Sequence, residues 1–162
     1  MTLDETVLQK LADWRPGEGR QTLLIPDEGS GWAATLSADR FDATGCLAWE
    51  VTLRRSQATA PADPEALRSW AERAAGAVTG LLEPLKVVEV DGSRGQALLR
   101  SREPARRADR LFYYEVLLTG THEAQVRRYR ATANSESRRE AIGFALTHEA
   151  LAKLVADLTA SQ

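Results

Sequence analysis

Basic and aromatic side chains are interleaved in one stretch of this chain in a way that suits the binding of negatively charged partners. Arg127, Arg128 and Arg130 surround Tyr129, and Tyr113 lies in the preceding predicted strand. Guanidinium groups form paired hydrogen bonds with phosphate or carboxylate, and tyrosine rings stack on nucleic-acid bases. An acidic protein surface suits the same side chains. The predicted partner- or anion-binding residues are Arg127, Arg128, Arg130, Tyr129, Tyr113, Arg100 and Arg102.

These residues belong to a basic block, residues 94–139, that contrasts with the rest of the chain. Its eleven arginines and five acidic residues give it a charge of +6, whereas the other ten basic and eighteen acidic residues sum to −8. The total of −2 and the pI of about 5.8 disfavour a dedicated nucleic-acid binder. A purely structural role is the alternative, in which arginine protects a sheet edge or pairs with acidic residues of the helices.

Two carboxylates, Glu50 and Glu115, lie within strongly hydrophobic predicted strands. If those strands were neighbours, the pair could divide the roles of general acid and general base. An ion pair between each carboxylate and an arginine is the simpler interpretation. An enzyme that uses these strand carboxylates is therefore kept as a minor hypothesis.

Other catalytic signals are weak in this sequence. His122 lies in a predicted turn and His148 in the first turn of a predicted helix, and neither has the spacing of a zinc ligand. Cys46 follows Gly45 with no adjacent base, so we interpret it as a small buried residue. No Gly-x-Ser-x-Gly motif is present. We expect no metal and no cofactor.

Three amphipathic helices are predicted, each with a recognisable start. Thr2 and Glu5 match a capping box, and Asp63 followed by Pro64 is a typical N-cap and first helical residue. Apolar residues then recur at helical spacing on one side of each helix. The predicted helices cover residues 2–14, 63–81 and 147–158.

The segments between the helices show the alternation of β-strands. Residues 46–54 alternate apolar and polar side chains, and Asp91-Gly92 is a strong hairpin signal. A further turn is predicted at Asn134, Ser135 and Glu136. Short connections favour antiparallel pairing. The predicted strands are residues 21–25, 31–37, 46–54, 86–90, 96–102, 111–118, 124–131 and 140–146.

Together these patterns predict one α+β domain over residues 1–162. Its twisted antiparallel sheet has about six to eight strands, with three amphipathic helices packed mainly on one face. The composition, 43% hydrophobic and 27% charged, is typical of a folded soluble protein. No secretory signal or membrane-spanning stretch is recognised, and a single cysteine fits a reducing compartment, so we expect a cytoplasmic protein without membrane contact.

The order of the predicted elements resembles that of the small dimeric chaperones of bacterial type III secretion. The likeness lies in an opening helix, strands, a middle helix, more strands and a final helix. No signature residue is shared, and the second block of strands is longer than in that family. The resemblance implies a similar style of partner binding.

Three functional hypotheses follow. The first is a non-enzymatic protein-interaction module, of adaptor or chaperone type, that binds another protein. The second is an arginine-mediated binder of nucleic acid or another polyanion, and the third is the carboxylate enzyme. A homodimer is also expected, because Trp32, Tyr113 or Leu117 would give an uncovered sheet face an exposed apolar patch that favours self-association.

Overall fold

All three predicted helices are present. The structure, a computed structural model, describes residues 1–57, 63–132 and 135–162, with the backbone alone for 135–137. Helix α1 spans Leu3–Asp13, α2 spans Pro64–Ala77 and α3 spans His148–Ala160. The helices therefore form where the sequence predicts them, although α2 ends earlier than expected.

The capping residues explain where the helices begin. The Thr2 N–H donates to the Glu5 carboxylate at 2.9 Å, as a capping box requires. The Asp63 carboxylate accepts the Glu65 N–H at 3.1 Å, and the Thr147 hydroxyl accepts the Ala150 N–H at 3.0 Å. Each of these contacts satisfies a backbone donor that has no partner within the first turn of its helix.

Helix α2 stops at Ala77, although the apolar pattern predicted a helix as far as residue 81. Val78 and Leu81 are buried nonetheless, in extended and turn conformations. Gly80 lies against the backbone of α3, where an added Cβ would be 3.0 Å from the Ala150 carbonyl oxygen. The segment that follows α2 therefore packs closely against α3 instead of forming the last predicted turn of the helix.

The described residues form ten strands in one open antiparallel sheet, so the prediction of six to eight strands was wrong. The sheet order is β1-β2-β3-β8-β7-β5-β4, with β10 paired to β3, β6 to β7 and β9 to β8. The strands are β1 Gln21–Ile25, β2 Trp32–Phe41, β3 Gly45–Arg55, β4 Leu85–Asp91, β5 Gln96–Ser101, β6 Ala105–Arg107, β7 Arg110–Thr119, β8 Glu123–Thr132, β9 Ser135–Ile142 and β10 Phe144–Thr147.

The extra strands come from polar segments and from a break at Gly143. β3 and β8 pair from Val51–Val126 to Arg54–Glu123. On the other side of the Val51–Val126 pair the two strands separate, and β9 pairs with β8 while β10 pairs with β3. Gly143 separates β9 from β10, and a Cβ there would lie 3.1 Å from Leu47. The predicted strand 140–146 is therefore two strands. Of the turn predicted before it, Ser135 belongs to β9 and Asn134 lies outside the described residues.

A β-bulge in β3 changes which side chains share a face. Ser37 is opposite Glu50 and Ala38 is opposite Ala48, so Trp49 is the extra residue. Ala48 and Val51 are buried, whereas Trp49 and Glu50 are half-buried. Before the bulge the buried residues are Cys46 and Ala48 rather than Leu47 and Trp49, so the apolar residues of the predicted pattern face the core only after the bulge.

One hydrophobic cluster joins the helices to alternate positions of the strands. At its centre Trp70 of α2 is fully buried, 5.9 Å from the ring of Trp32, and its Nε1–H donates to the Leu158 carbonyl at 3.1 Å. Helix α2 contacts β4 and β5, α3 contacts β10 and β3, and α1 contacts α3. In β7, Tyr114, Val116 and Leu118 belong to the cluster, so the residues between them, Glu115 and Leu117, project to the opposite side.

Candidate binding site on the sheet

A polar surface lies on the side of the central strands opposite the hydrophobic cluster. Alternation along β3, β5, β7 and β8 places side chains on this side, because their neighbours in these strands belong to the cluster. Arg139 of β9 joins them through its contacts with Glu115 and Tyr129. We call it the polar sheet face. It consists of Glu50, Thr52, Arg100, Tyr113, Glu115, Gln125, Arg127, Tyr129 and Arg139.

Glu115 is the centre of the polar sheet face. Its Oε2 accepts a hydrogen bond from Arg100 Nε at 2.9 Å and another from Arg139 Nη1. The Glu115 side chain is 9% exposed, whereas each arginine side chain is 32% exposed. One nearly buried carboxylate is therefore shared by two guanidinium groups that remain accessible to solvent.

Two tyrosines pack beside this triad and hold its arginines. Tyr113 and Tyr129 are opposite each other in β7 and β8, with ring centroids 6.0 Å apart. The Arg139 guanidinium lies 3.8 Å from the Tyr129 ring centroid, and that of Arg100 lies 5.3 Å from Tyr113. Cation–π contacts of this kind restrict the guanidinium groups while leaving their outer N–H donors available.

A second ion pair extends the polar sheet face towards β3. Arg127 Nε donates to Glu50 Oε2 at 2.7 Å, and the Thr52 hydroxyl donates to Glu50 Oε1 at 3.0 Å. Arg127 is directly opposite Glu115 in the β7–β8 register. Acidic and basic side chains therefore alternate across three neighbouring strands.

Hydrogen bonding favours the charged forms of Glu50 and Arg139. Burial raises the pKa of Glu50, but hydrogen bonds from Gln125, Arg127 and Thr52 outweigh it and bring the pKa below its ordinary value. Burial alone would lower the pKa of Arg139, yet its hydrogen bonds to Glu115 and Tyr113 raise it. The Glu50 carboxylate, whose pKa is lowered and which pairs with Arg127, is suited to electrostatic recognition rather than to proton transfer.

The predicted residue Arg128 lies on the other side of the sheet. It is opposite Tyr114, a member of the hydrophobic cluster, and its Nη1 donates to the Glu83 carboxylate at 2.7 Å. The Arg128 side chain is 15% exposed, and its guanidinium lies 4.2 Å from the Tyr114 ring centroid. Arg128 therefore braces the segment before β4 and does not belong to the polar sheet face.

Two more predicted residues lie apart from the triad. Arg130 Nε donates to Glu140 Oε1 at 2.7 Å, next to the register shift in the β8–β9 pairing. Arg102 is exposed in the bend after β5, where its backbone N–H donates to the Pro84 carbonyl at 2.6 Å. Of the seven predicted site residues, the structure brings together Arg100, Tyr113, Arg127 and Tyr129.

Sequence reasoning did not select Arg139 and did not connect it with Glu115. Period-two alternation in residues 135–142 is obscured by their polarity, and the pairing of β9 with β8 leaves no local signal. Glu115 was singled out for its hydrophobic surroundings, and that signal did identify the centre of the face.

The structure separates the two carboxylates of the enzyme hypothesis. β8 lies between β3 and β7, and Arg127 of β8 pairs with Glu50 and lies opposite Glu115. Cys46 is buried, and burial raises the pKa of its thiol to about 11, which disfavours the reactive thiolate. The paired-carboxylate mechanism requires β3 and β7 to be neighbours, and in this sheet β8 separates them.

The histidines occupy the predicted positions. His122 is exposed in the turn between β7 and β8. His148 is the first residue of α3, and its ring stacks on Phe41 with centroids 5.1 Å apart. Within the described ranges, no three histidine, cysteine or acidic side chains converge in a way that could hold a metal ion.

No protein-family model, curated protein or solved structure matches the chain. The likeness to type III secretion chaperones therefore remains one of element order. Each described helix falls short of the length and apolarity needed to cross a membrane.

Proposed function

We propose that this chain is a protein-interaction module that binds an acidic segment of another protein on the polar sheet face. The observation that carries the proposal is the triad in which Arg100 and Arg139 share the single carboxylate of Glu115. With Arg127 and Glu50 included, three cations face two anions. The surplus positive charge lies between tyrosine rings, at a position that an incoming carboxylate can neutralise.

Preorganisation favours binding at this position. Glu115 and the tyrosines fix the two arginines before a partner arrives, so less side-chain entropy is lost on association. Tyrosine and arginine are also the residues most often found at the energetic centre of protein interfaces. The proposal includes the arrangement in which all three helices cover one face of the sheet and leave the polar sheet face to the partner. It also includes a single domain over residues 1–162 and a cytoplasmic location.

The test is titration with a fluorescent peptide of alternating glutamate and tyrosine, followed by anisotropy. Arg100→Gln and Arg139→Gln are each expected to weaken peptide binding about tenfold, because each removes a charge-assisted contact worth about 1.5–3 kcal/mol. The matched control is Arg128→Gln, which removes the same charge from the opposite side of the sheet.

Circular dichroism should show unchanged secondary structure in all three variants. If Arg128→Gln and Arg139→Gln weakened peptide binding equally, binding would depend on net charge alone, which would contradict the polar sheet face as the binding site. Failure of the unmodified protein to bind the peptide would contradict it directly.

We also propose that two copies of the chain pair through β1. β1 and β4 end the sheet, and β4 is protected by Lys86, Glu89 and a register shift, whereas β1 carries no charge and exposes 71% of Leu24. Arg20 precedes β1, and Asp27 and Glu28 follow it. Antiparallel pairing of two β1 strands places the basic end of each strand near the acidic end of the other.

The homodimer predicted from the sequence depended on apolar residues of an uncovered sheet face, whereas this proposal depends on the edge strand β1. Of the three residues on which that prediction depended, Trp32 and Tyr113 are 4% and 6% exposed, whereas Leu117 is half-buried. Light scattering should give the mass of a dimer for the unmodified chain and of a monomer for Leu24→Lys, because a charge on an edge strand opposes pairing. Val88→Lys on β4 is the control, and it should remain dimeric. A monomeric unmodified chain would contradict the proposal.

A further inference from the structure

We propose that the end of the sheet where β7, β8 and β9 meet holds a site for a single phosphate monoester group. A cavity of about 310 Å³ opens there. Its polar lining residues are Arg110, Arg130, Thr132, Arg138, Arg139 and Glu140. Four arginines therefore line one cavity that has a single acidic side chain in its described lining.

The sheet register explains why the arginines converge. Arg110, the first residue of β7, is opposite Thr132 of β8, and Arg130 is opposite Glu140 of β9. Arg107 of β6 is opposite Arg110 across the tight turn at Ala108, which has a φ of 57°. Like charges directly opposite each other destabilise a sheet unless a counter-charge is bound nearby.

Two of the four lining arginines already have partners. Arg130 pairs with Glu140, and Arg139 pairs with Glu115 of the polar sheet face. Arg110 and Arg138 are exposed, and no ion pair joins them to another side chain in the part of the chain that the structure describes. Their planar guanidinium groups suit the bidentate binding of an oxyanion, and the Thr132 hydroxyl adds a further donor.

The dimensions and charge favour one phosphate group over a nucleic-acid strand. The cavity is confined to the end of three strands, whereas a nucleic-acid groove follows several phosphates in succession. The chain as a whole has a charge of −2, which opposes association with a long polyanion. A phosphate monoester carries a charge of about −1.5 to −2 at neutral pH, which matches the two arginines, Arg110 and Arg138, that form no ion pair among the described residues.

The cavity shares Arg139 with the polar sheet face, but Arg100, Tyr113 and Arg127 do not line it. Arg110 and Arg138 lie outside that face, so variants at these two positions test the cavity separately from the proposed protein-binding role. A phosphate monoester could be carried by a small metabolite or by a phosphorylated side chain. Both present the same group to the arginines, so the experiment must distinguish the two sources.

The experiment is isothermal titration calorimetry of the full chain with inorganic phosphate, O-phosphoserine and a phosphoserine peptide, with the unphosphorylated peptide as reference. Arg110→Gln and Arg138→Gln, two exposed positions that should fold normally, are each expected to weaken O-phosphoserine binding about tenfold or more. Arg94→Gln is the matched control. It removes the same charge near the far end of β7, about 30 Å away, and should change the affinity less than twofold.

Tighter binding of the phosphopeptide than of O-phosphoserine would support the proposal with a phosphorylated protein as the source. Equal affinities would support it with a small metabolite as the source. Absence of saturable binding for all three phosphate probes would overturn it, as would equal losses in Arg94→Gln and Arg110→Gln. A single-stranded oligonucleotide that binds more tightly than O-phosphoserine, with a steep salt dependence, would overturn it in favour of nucleic acid.

Discussion

Replacing Trp70 by alanine is expected to lower the free energy of unfolding by about 3–5 kcal/mol. The indole is fully buried, packs on Trp32 and donates its N–H to the Leu158 carbonyl. The substitution therefore leaves a large cavity between α2, α3 and β2, together with a buried carbonyl that has lost its donor. Chemical denaturation followed by circular dichroism measures the change, which should appear as a lower midpoint with an unchanged slope.

Two further variants separate the causes. Trp70→Phe keeps most of the ring and loses the hydrogen bond, so a loss of about 1–2 kcal/mol is expected. Trp49→Ala removes the same side chain from a half-buried position, where the Arg20 guanidinium lies 3.8 Å from the ring centroid, and should cost about 1 kcal/mol. If Trp70→Ala lowered the free energy of unfolding no more than Trp49→Ala, the packing of Trp70 between α2 and the core would not be a main source of stability.

The helices could be predicted from local signals because each one satisfies its own ends. Thr2 with Glu5, Asp63 with Pro64, and Thr147 are read directly from the sequence, and the structure has each at the start of a helix. The antiparallel class of the sheet followed in the same way, from short connections. Agreement between local preference and tertiary packing made these elements predictable.

The missing strands could not be predicted because their pattern comes from their neighbours. β6, residues Ala105–Arg107, and the first part of β9, residues 135–139, are rich in arginine and have little apolar alternation, so the sequence does not predict a strand there. Each forms a strand because the long strands beside it, β7 and β8, offer backbone hydrogen-bonding partners. The bulge at Trp49 likewise depends on the β2–β3 register and not on any local residue preference.

For the candidate site, the structure brings together four of the seven predicted residues, and whether they bind a partner stays a prediction. Strict alternation along β8 already implies that Arg127 and Tyr129 share one side and that Arg128 does not. What alternation cannot provide is the strand order, which brings Arg139 of β9 to Glu115 of β7 across β8. Long-range pairing of this kind depends on tertiary packing, which no short window of sequence records.

Glu115→Gln is expected to change stability and peptide binding in opposite directions. The substitution keeps the shape of the side chain but removes the charge that Arg100 and Arg139 share, so the free energy of unfolding should fall by about 1–3 kcal/mol. Tyr113 and Tyr129 still hold Arg100 and Arg139 in place, and both guanidinium groups are then free of a competing carboxylate. Affinity for the acidic peptide should therefore rise about three- to tenfold, which corresponds to about 0.7–1.4 kcal/mol.

Glu83→Gln is the matched control for this prediction. It removes the carboxylate that pairs with Arg128 on the opposite side of the sheet, so it should also lower stability while leaving peptide affinity unchanged. If Glu115→Gln lowered stability without strengthening peptide binding, the triad would stabilise the fold and have no part in peptide binding. If both variants strengthened binding equally, the attraction would come from total charge and not from the polar sheet face. Opposite changes confined to Glu115→Gln require that its two arginines are held ready for a negatively charged partner.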